Sequence, residues 1–146
     1  MGVRNRARKF LLQARYAAEC NGDTVPANLE ALGFSGRFGP DEKLWLEALA
    51  DCVCRNRAAL DERISLALEN WSLERLSILT RLVLEQAAAE VAYLDMPAAV
   101  AIDEAVDVSR EFEGDEAAAF VNGVLDRMLV AEGESAGRRH RKAPSR

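Results

Sequence analysis

Helical apolar spacing runs through this 146-residue chain from Arg4 to about Ala131. Within each segment apolar side chains recur every three or four positions, and most Gly, Pro and Asn residues fall between segments. Alanine and leucine dominate, whereas the β-branched and aromatic residues that favour strands are few. The pattern predicts an all-α protein of about seven helices.

Turn and cap residues place the helix boundaries. Pro26 opens a short helix, Asp41 and Ser77 cap two longer ones, and Pro97 starts another. Residues 33–40 hold three glycines and predict a surface loop. The predicted helices span residues 4–20, 26–32, 41–69 with a break near 56–59, 78–94, 97–113 and 116–131.

Two details of the later helices carry specific expectations. Val100, Ala101, Ala105 and Val108 share one face of their helix and are expected to point into the core. Gly123 lies in mid-helix, where glycine costs about 1 kcal/mol relative to alanine, so close approach of a neighbouring helix is expected there.

The sequence carries little catalytic or metal-binding chemistry. Phosphate-binding loops, nucleophile elbows and His-Glu-x-x-His pairs are absent, and the single histidine, His140, lies near the end. We therefore expect a non-enzyme without a cofactor or metal site, and interpret Asp103, Glu104 and Asp107 as the wet side of a helix. The absence of an apolar run of about 18 residues or of a signal core predicts a cytoplasmic protein without a membrane partner.

Three cysteines, Cys20, Cys52 and Cys54, make an odd count. The last two are too close together on a predicted helix to pair easily. They are expected to be buried or half-buried free thiols.

The net charge of −5 conceals an asymmetry. Residues 1–20 carry +4, residues 133–146 again carry +4, and the middle of the chain carries −13. A basic N-terminal segment followed by an acidic middle suggests a local binding site for a polyanion. The alternative is a charged face that is only solvated. Residues 1–132 are predicted to form one domain, with sub-halves at about 1–58 and 59–132, and residues 133–146 a disordered basic tail.

The first helix places its charges along one side. At 100° per residue Arg4, Arg8 and Arg15 fall within about 40° of each other, next to Lys9 and Tyr16. Arginine grips phosphate through a fixed fork, and tyrosine offers a surface on which a base can stack. We call Arg4, Arg8 and Arg15 the arginine edge and expect it to suit single-stranded RNA.

Five stretches of sequence resemble the NusB family of bacterial transcription antitermination factors. The most specific is Phe-Val-Asn-Gly-Val-Leu-Asp at residues 120–126, preceded by Asp-Met-Pro at 95–97 and Val-Ala-Ile-Asp-Glu-Ala-Val-Asp at 100–107. Residues 60–76, with Glu-Asn-Trp-Ser-Leu-Glu-Arg-Leu at their end, resemble the family's middle segment, and residues 4–16 its arginine-rich first helix.

The resemblance implies two stacked helical bundles without an active site. It also implies binding of boxA RNA in ribosomal RNA transcripts, jointly with the small-subunit ribosomal protein NusE, so that RNA polymerase in the elongation complex reads through terminators. The RNA-binding residues so predicted, together with Arg15 from the arginine edge, are Arg4, Arg6, Arg8, Arg15, Tyr16, Phe120 and Asn122. Phe120 has an equally good interpretation as a core residue.

The chain departs from the family pattern at several positions. Asn5 interrupts the arginine run, Asp103 stands where asparagine is usual, and Ala119 where lysine often precedes the phenylalanine. These departures predict weaker or redistributed RNA binding. They leave open a helical protein-interaction module that has lost RNA binding; a methyltransferase fragment is a more distant alternative, and homodimerisation is left open.

Overall fold

A computed structural model describes residues 2–130, most of which lie in seven α-helices. Their bounds are α1 Val3–Asn21, α2 Val25–Ala31, α3 Pro40–Arg55, α4 Arg57–Ala67, α5 Ile78–Tyr93, α6 Ala98–Glu113 and α7 Asp115–Leu125. Two single 3₁₀ turns, Phe34–Gly36 and Leu73–Arg75, lie between helices, and a π-helix, Asp126–Val130, extends α7. The all-α prediction is confirmed, as is the predicted break near residue 56. The predicted tail lies outside the described residues.

Helix α5 forms the centre of the molecule. It packs against five other helices, α1, α3, α4, α6 and α7. All nine residues from 82 to 90 are buried. A helix that is covered all round has no wet face, so each polar residue in this stretch needs a partner inside the protein. Helix α1 also contacts α6 directly, so α5 is not the sole connection between the early and the late helices, and sub-halves that meet at about residue 58 stay a prediction.

Local chemistry explains most of the helix starts. Ser77 accepts a hydrogen bond from the Thr80 backbone N–H at 3.0 Å, as its predicted cap role requires. The predicted cap at Asp41 is wrong, because α3 already begins at Pro40 with Gly39 as its N-cap. Proline lacks the N–H that would be unsatisfied at this position, and Asp41 instead places its charge in the positive first turn.

The glycine-rich loop before α3 is anchored by aromatic side chains. Phe34 is buried and packs on Phe10, with ring centroids 6.2 Å apart, and Phe38 meets Phe10 edge-on at 5.4 Å. The prediction of a surface loop is therefore wrong for Phe34. Aromatic burial outweighs the local turn signal here.

Several side-chain expectations need correction. Ala101, Ala105 and Val108 are buried as predicted, but Val100 is 43% exposed because it lies in the first turn of α6. A Cβ at Gly123 would meet only Arg127 Nη1, at 3.8 Å, among the residues described, so close helix packing does not explain this glycine.

The cysteines also differ from expectation. All three are free, but Cys20 and Cys54 are exposed and only Cys52 is half-buried. Across residues 2–130, no helix combines the length and the hydrophobicity that a membrane crossing requires.

Candidate RNA-binding surface

The first turn of α1 presents two exposed arginines on aromatic supports. The Arg4 guanidinium carbon lies 5.0 Å from the centroid of the Trp45 ring, and that of Arg6 lies 5.8 Å from the Phe38 ring. A guanidinium held over a ring keeps its charge while losing side-chain freedom. The positive end of the α1 dipole lies at the same place, so this end of the helix attracts anions.

Arg8 is not part of an exposed edge. It is 5% exposed, and its Nε and Nη2 donate to the two carboxylate oxygens of Glu90 on α5 at 2.7 and 2.6 Å. Its Nη1 lies 3.9 Å from a carboxylate oxygen of Glu104 on α6. The predicted surface position of Arg8 is therefore wrong, and the residue instead joins α1 to the central helix.

Arg15 is also buried, so its predicted position on an exposed arginine edge is wrong. It donates to the carboxylate of Glu85 and, from Nη1, to the Leu82 backbone oxygen at 3.1 Å. Arg57 Nε and Arg81 Nε also approach Glu85, at 3.0 and 3.4 Å. Burial lowers the pKa of Arg15.

The helical wheel explains both corrections. Arg8 and Arg15 lie about 85–105° from the centre of the apolar face of α1, at its border rather than opposite it. Because α5 presents Glu85 and Glu90 at that border, the two arginines are covered by it. Arg4 stays outside because it is at the very start of α1.

The buried carboxylates respond to this environment. Burial raises the pKa of Glu85 and of Glu90, although their arginine partners oppose the shift. Asp61 lies beside Glu85; its Oδ2 accepts from Arg81 Nη2 at 2.8 Å, while its buried Oδ1 has no hydrogen-bond partner within residues 2–130. The neighbouring Asp61 carboxyl adds to the upward shift in the pKa of Glu85.

Tyr16 lies on α1 well away from the arginine pair. It is 41% exposed, and twelve residues of helix separate it from Arg4, about 18 Å along the axis. Interaction with the Cys20 thiol one turn further on raises the pKa of Tyr16. A ligand that contacts both Arg4 and Tyr16 must follow the length of the helix.

Phe120 and Asn122 lie on different sides of α7, about 160° apart. Phe120 is half-buried and meets Trp71 edge-on, with centroids 6.2 Å apart and Arg75 above the Trp71 ring at 5.9 Å. Asn122 is exposed and lines a cleft of about 470 Å³ between α6 and α7. The acidic side chains of that cleft are Asp103, Asp107 and Asp115.

The structure thus distributes the predicted residues over several places. Arg4 and Arg6 lie together, Tyr16 lies further along α1, Phe120 and Asn122 lie on two faces of α7, and Arg8 and Arg15 are in the interior. Sequence reasoning missed Trp45 and Phe38, which support the exposed pair, because nothing in one sequence pairs an aromatic residue with a distant arginine. The glutamates of α5 could have indicated that some arginines are buried, since charged residues within an apolar helix require partners of opposite charge.

Comparison with known proteins identifies the family to which this chain belongs. A family model described as the NusB family matches residues 5–130. The chain belongs to the NusB family. The NusB resemblance of the sequence motifs is thereby confirmed.

Individual NusB proteins agree with this assignment over nearly their full length. The transcription antitermination protein NusB of Myxococcus xanthus (strain DK1622) is 37% identical over 136 residues, which cover 90% of this chain and 97% of that protein. T. maritima NusB superposes with a TM-score of 0.81 at 29% identity, over 89% of this chain and 92% of that one.

A third comparison concerns NusB in a complex. A chain from a crystal structure of the antitermination factors NusB and NusE with dsRNA has a TM-score of 0.78 at 24% identity, covering 89% of this chain and 99% of that one. At this identity the likeness shows the NusB fold.

Within the NusB fold the departures of this chain occupy different environments. Asn5, which interrupts the arginine run, is buried and so does not remove charge from the surface. Asp103 and Ala119 are exposed beside Asn122, so the acidic character there is a surface property.

Proposed function

We propose that this protein is a transcription antitermination factor that binds single-stranded boxA-type RNA together with the ribosomal protein NusE. In this role it helps RNA polymerase in the elongation complex to read through terminators. The NusB match over residues 5–130 carries the proposal. The crystal structure of NusB and NusE with dsRNA, which contains a chain of the same fold, supports NusE and RNA as partners.

The exposed pair Arg4 and Arg6 is the proposed point of phosphate contact. Both guanidiniums are held over aromatic rings, so little side-chain entropy is lost when they bind. We assign Arg8 and Arg15 the role of fastening α1 to α5, which keeps the first turn in place for the RNA.

The remaining predicted contacts extend the surface. Tyr16 offers an exposed ring for stacking, and Asn122 an amide that can read a base edge. Phe120 can contribute the part of its ring that Trp71 leaves uncovered. The proposed role is binding alone, without catalysis, in the cytoplasm where transcripts are made.

Fluorescence anisotropy with labelled RNA tests this function. The full chain is titrated with a boxA-type RNA and with a scrambled RNA of equal composition, each with and without NusE. Preference for the boxA sequence in the presence of NusE supports the proposal, whereas equal affinity for both RNAs overturns the specific role.

Matched arginine variants locate the contact. Arg4→Gln with Arg6→Gln should weaken RNA binding several-fold, because two charge-assisted contacts with phosphate are lost. Arg55→Gln removes an exposed charge at the C-terminal end of α3 and should leave RNA affinity unchanged. A loss of affinity per removed charge that is as large for Arg55→Gln as for the double variant would show that only total charge matters.

A second function is favoured by the burial of charge. Of the basic residues in α1, Arg8 and Arg15 are neutralised in the core and Lys9 pairs with Glu111 at 2.6 Å. The surface around Asn122 is acidic. A protein-interaction module without RNA binding would hold NusE with an affinity that neither RNA nor the loss of Arg4 and Arg6 alters.

A further inference from the structure

A groove on the side formed by α1, α2 and α3 carries strong negative charge. It has a volume of about 810 Å³, and its floor is apolar, with Val25, Leu29 and Phe34 among its residues. Five carboxylates border it, those of Glu19, Asp23, Glu30, Glu47 and Asp51. The lining also holds two arginines, Arg15 and Arg57, so its five carboxylates leave a net charge of −3. We call it the acidic groove.

The carboxylates of the acidic groove are only partly satisfied. Glu19 pairs with Arg57 at 2.8 Å, and Asp51 with Arg55 at 3.0 Å. Asp23 and Glu47 are exposed and make no ion pair with another side chain of residues 2–130. Like charges gathered round one apolar cleft repel one another, and a cationic segment laid across them would relieve that repulsion.

The chain itself contains a segment of matching chemistry. Residues 133–146 include Arg138, Arg139, Arg141, Lys142 and Arg146 against the single acid Glu134. Long basic side chains lay their aliphatic stems on apolar surface while their charged ends meet carboxylates. An apolar floor with an acidic border is the surface that suits such side chains.

The distance between the end of the described chain and the acidic groove is short enough. Arg127 Nε donates to the Ala67 backbone oxygen at 3.0 Å, and Ala67 is the last residue of α4. The first residue of α4, Arg57, lines the groove, and eleven residues of helix span about 16 Å. Eight residues of extended chain, from 131 to 138, reach at most about 27 Å, so the first arginine of the segment can arrive at the groove.

We propose that the acidic groove binds the basic segment 133–146 of the same chain. Because the segment is tethered, its local concentration is in the millimolar range and weak ion pairs suffice to hold it. The bound segment is then withheld from non-specific contact with polyanions, while Arg4 and Arg6 stay accessible. This proposal does not depend on RNA binding.

Carbodiimide cross-linking of the full chain tests the proposal, because the reagent joins an amine to a carboxylate in direct contact. Lys142 is the only lysine of the segment. At low salt it should link to Asp23, Glu30, Glu47 or Asp51, and the yield should fall several-fold at about 0.5 M salt, where the Debye length is about 4 Å. Equal yields at Asp103, Asp107 and Asp115, the second acidic surface, would overturn the proposal.

Two full-length variants provide the matched comparison. Glu47→Gln with Asp51→Asn should lower the yield of the Lys142 links to Asp23 and Glu30 at least about threefold, since two of the attracting charges are gone. Asp103→Asn with Asp107→Asn removes the same charge from α6 and should leave those links unchanged. All four positions are exposed, so folding is expected to survive in both variants.

Isotope mixing identifies the occupant. In an equal mixture of ¹⁴N and ¹⁵N protein, links within one molecule join peptides of the same isotope only. Mixed pairs would overturn the proposal in favour of a second copy of the chain. Links from the lysines of added NusE to the groove, with Lys142 unlinked, would overturn it in favour of that partner.

Discussion

The two guanidinium nitrogens of Arg8, Nε and Nη2, donate to the two carboxylate oxygens of Glu90, at 2.7 and 2.6 Å, and so join the first helix to the central one. Both side chains are almost completely buried, at 7% and 2% exposure. The charge that makes α1 resemble a nucleic-acid contact is at this position part of the core.

Removal of one partner of this pair should destabilise the fold. Arg8→Ala leaves the Glu90 carboxylate buried and unpaired and should lower the free energy of unfolding by about 3 kcal/mol. Arg4→Ala, on the exposed side of the same helix, should cost less than about 1 kcal/mol. Urea unfolding monitored by circular dichroism measures both; similar small losses would show that the buried pair contributes little.

Replacement of both partners gives a further comparison. Arg8→Met with Glu90→Leu removes the two charges together and keeps most of the volume, so it should be far closer to wild type than Arg8→Ala. A double variant as unstable as the single one would contradict an electrostatic origin of the loss.

The pH dependence of stability should report Glu90. Burial raises its pKa above the ordinary value of 4.5, so between 4.5 and the raised value the folded chain binds more protons than the unfolded chain. The stability that Glu90 contributes is therefore fully present below pH 4.5 and is lost as the pH rises through the folded pKa. The difference in unfolding free energy between wild type and Glu90→Gln should fall as the pH rises above 4.5. A difference that is constant or rises over this range would contradict the upward shift.

Gly123→Ala should stabilise the protein by about 1 kcal/mol. The added Cβ meets only the flexible Arg127 side chain, at 3.8 Å, among the described residues, and alanine is the better helix former. Gly114→Ala is the matched control and should be destabilising, because Gly114 has a φ of +95° that favours glycine. Thermal unfolding of the two variants should move in opposite directions; a lower melting temperature for Gly123→Ala would show a packing role that the contacts do not reveal.

The salt dependence of RNA affinity should report the number of exposed arginines in contact. The slope of log affinity against log salt should become shallower by about 0.7 for each of Arg4→Gln and Arg6→Gln on single-stranded RNA. Anisotropy titrations between about 50 and 200 mM salt measure this slope. An unchanged slope in both variants would place the phosphate contacts elsewhere.

Helix content and helix boundaries follow from local signals that one sequence carries. The period of the apolar residues, the cap at Ser77 and the break near Asn56 act within a few residues of chain, so their effects were predictable. The motif at residues 120–126 likewise identified the family.

The burial of individual charges depends instead on which helix covers the border of another, and that is a property of the assembled fold. Arg4 and Arg8 are one turn apart on α1, and both guanidinium groups lie 5.0 Å from the centroid of the Trp45 ring, yet Arg4 is exposed and Arg8 is enclosed with Glu90. The sequence by itself determined the helices, their order and the family. Only the tertiary structure decided which arginines are exposed, because α5 brings Glu85 and Glu90 against two of them and so provides the partners that buried charges require.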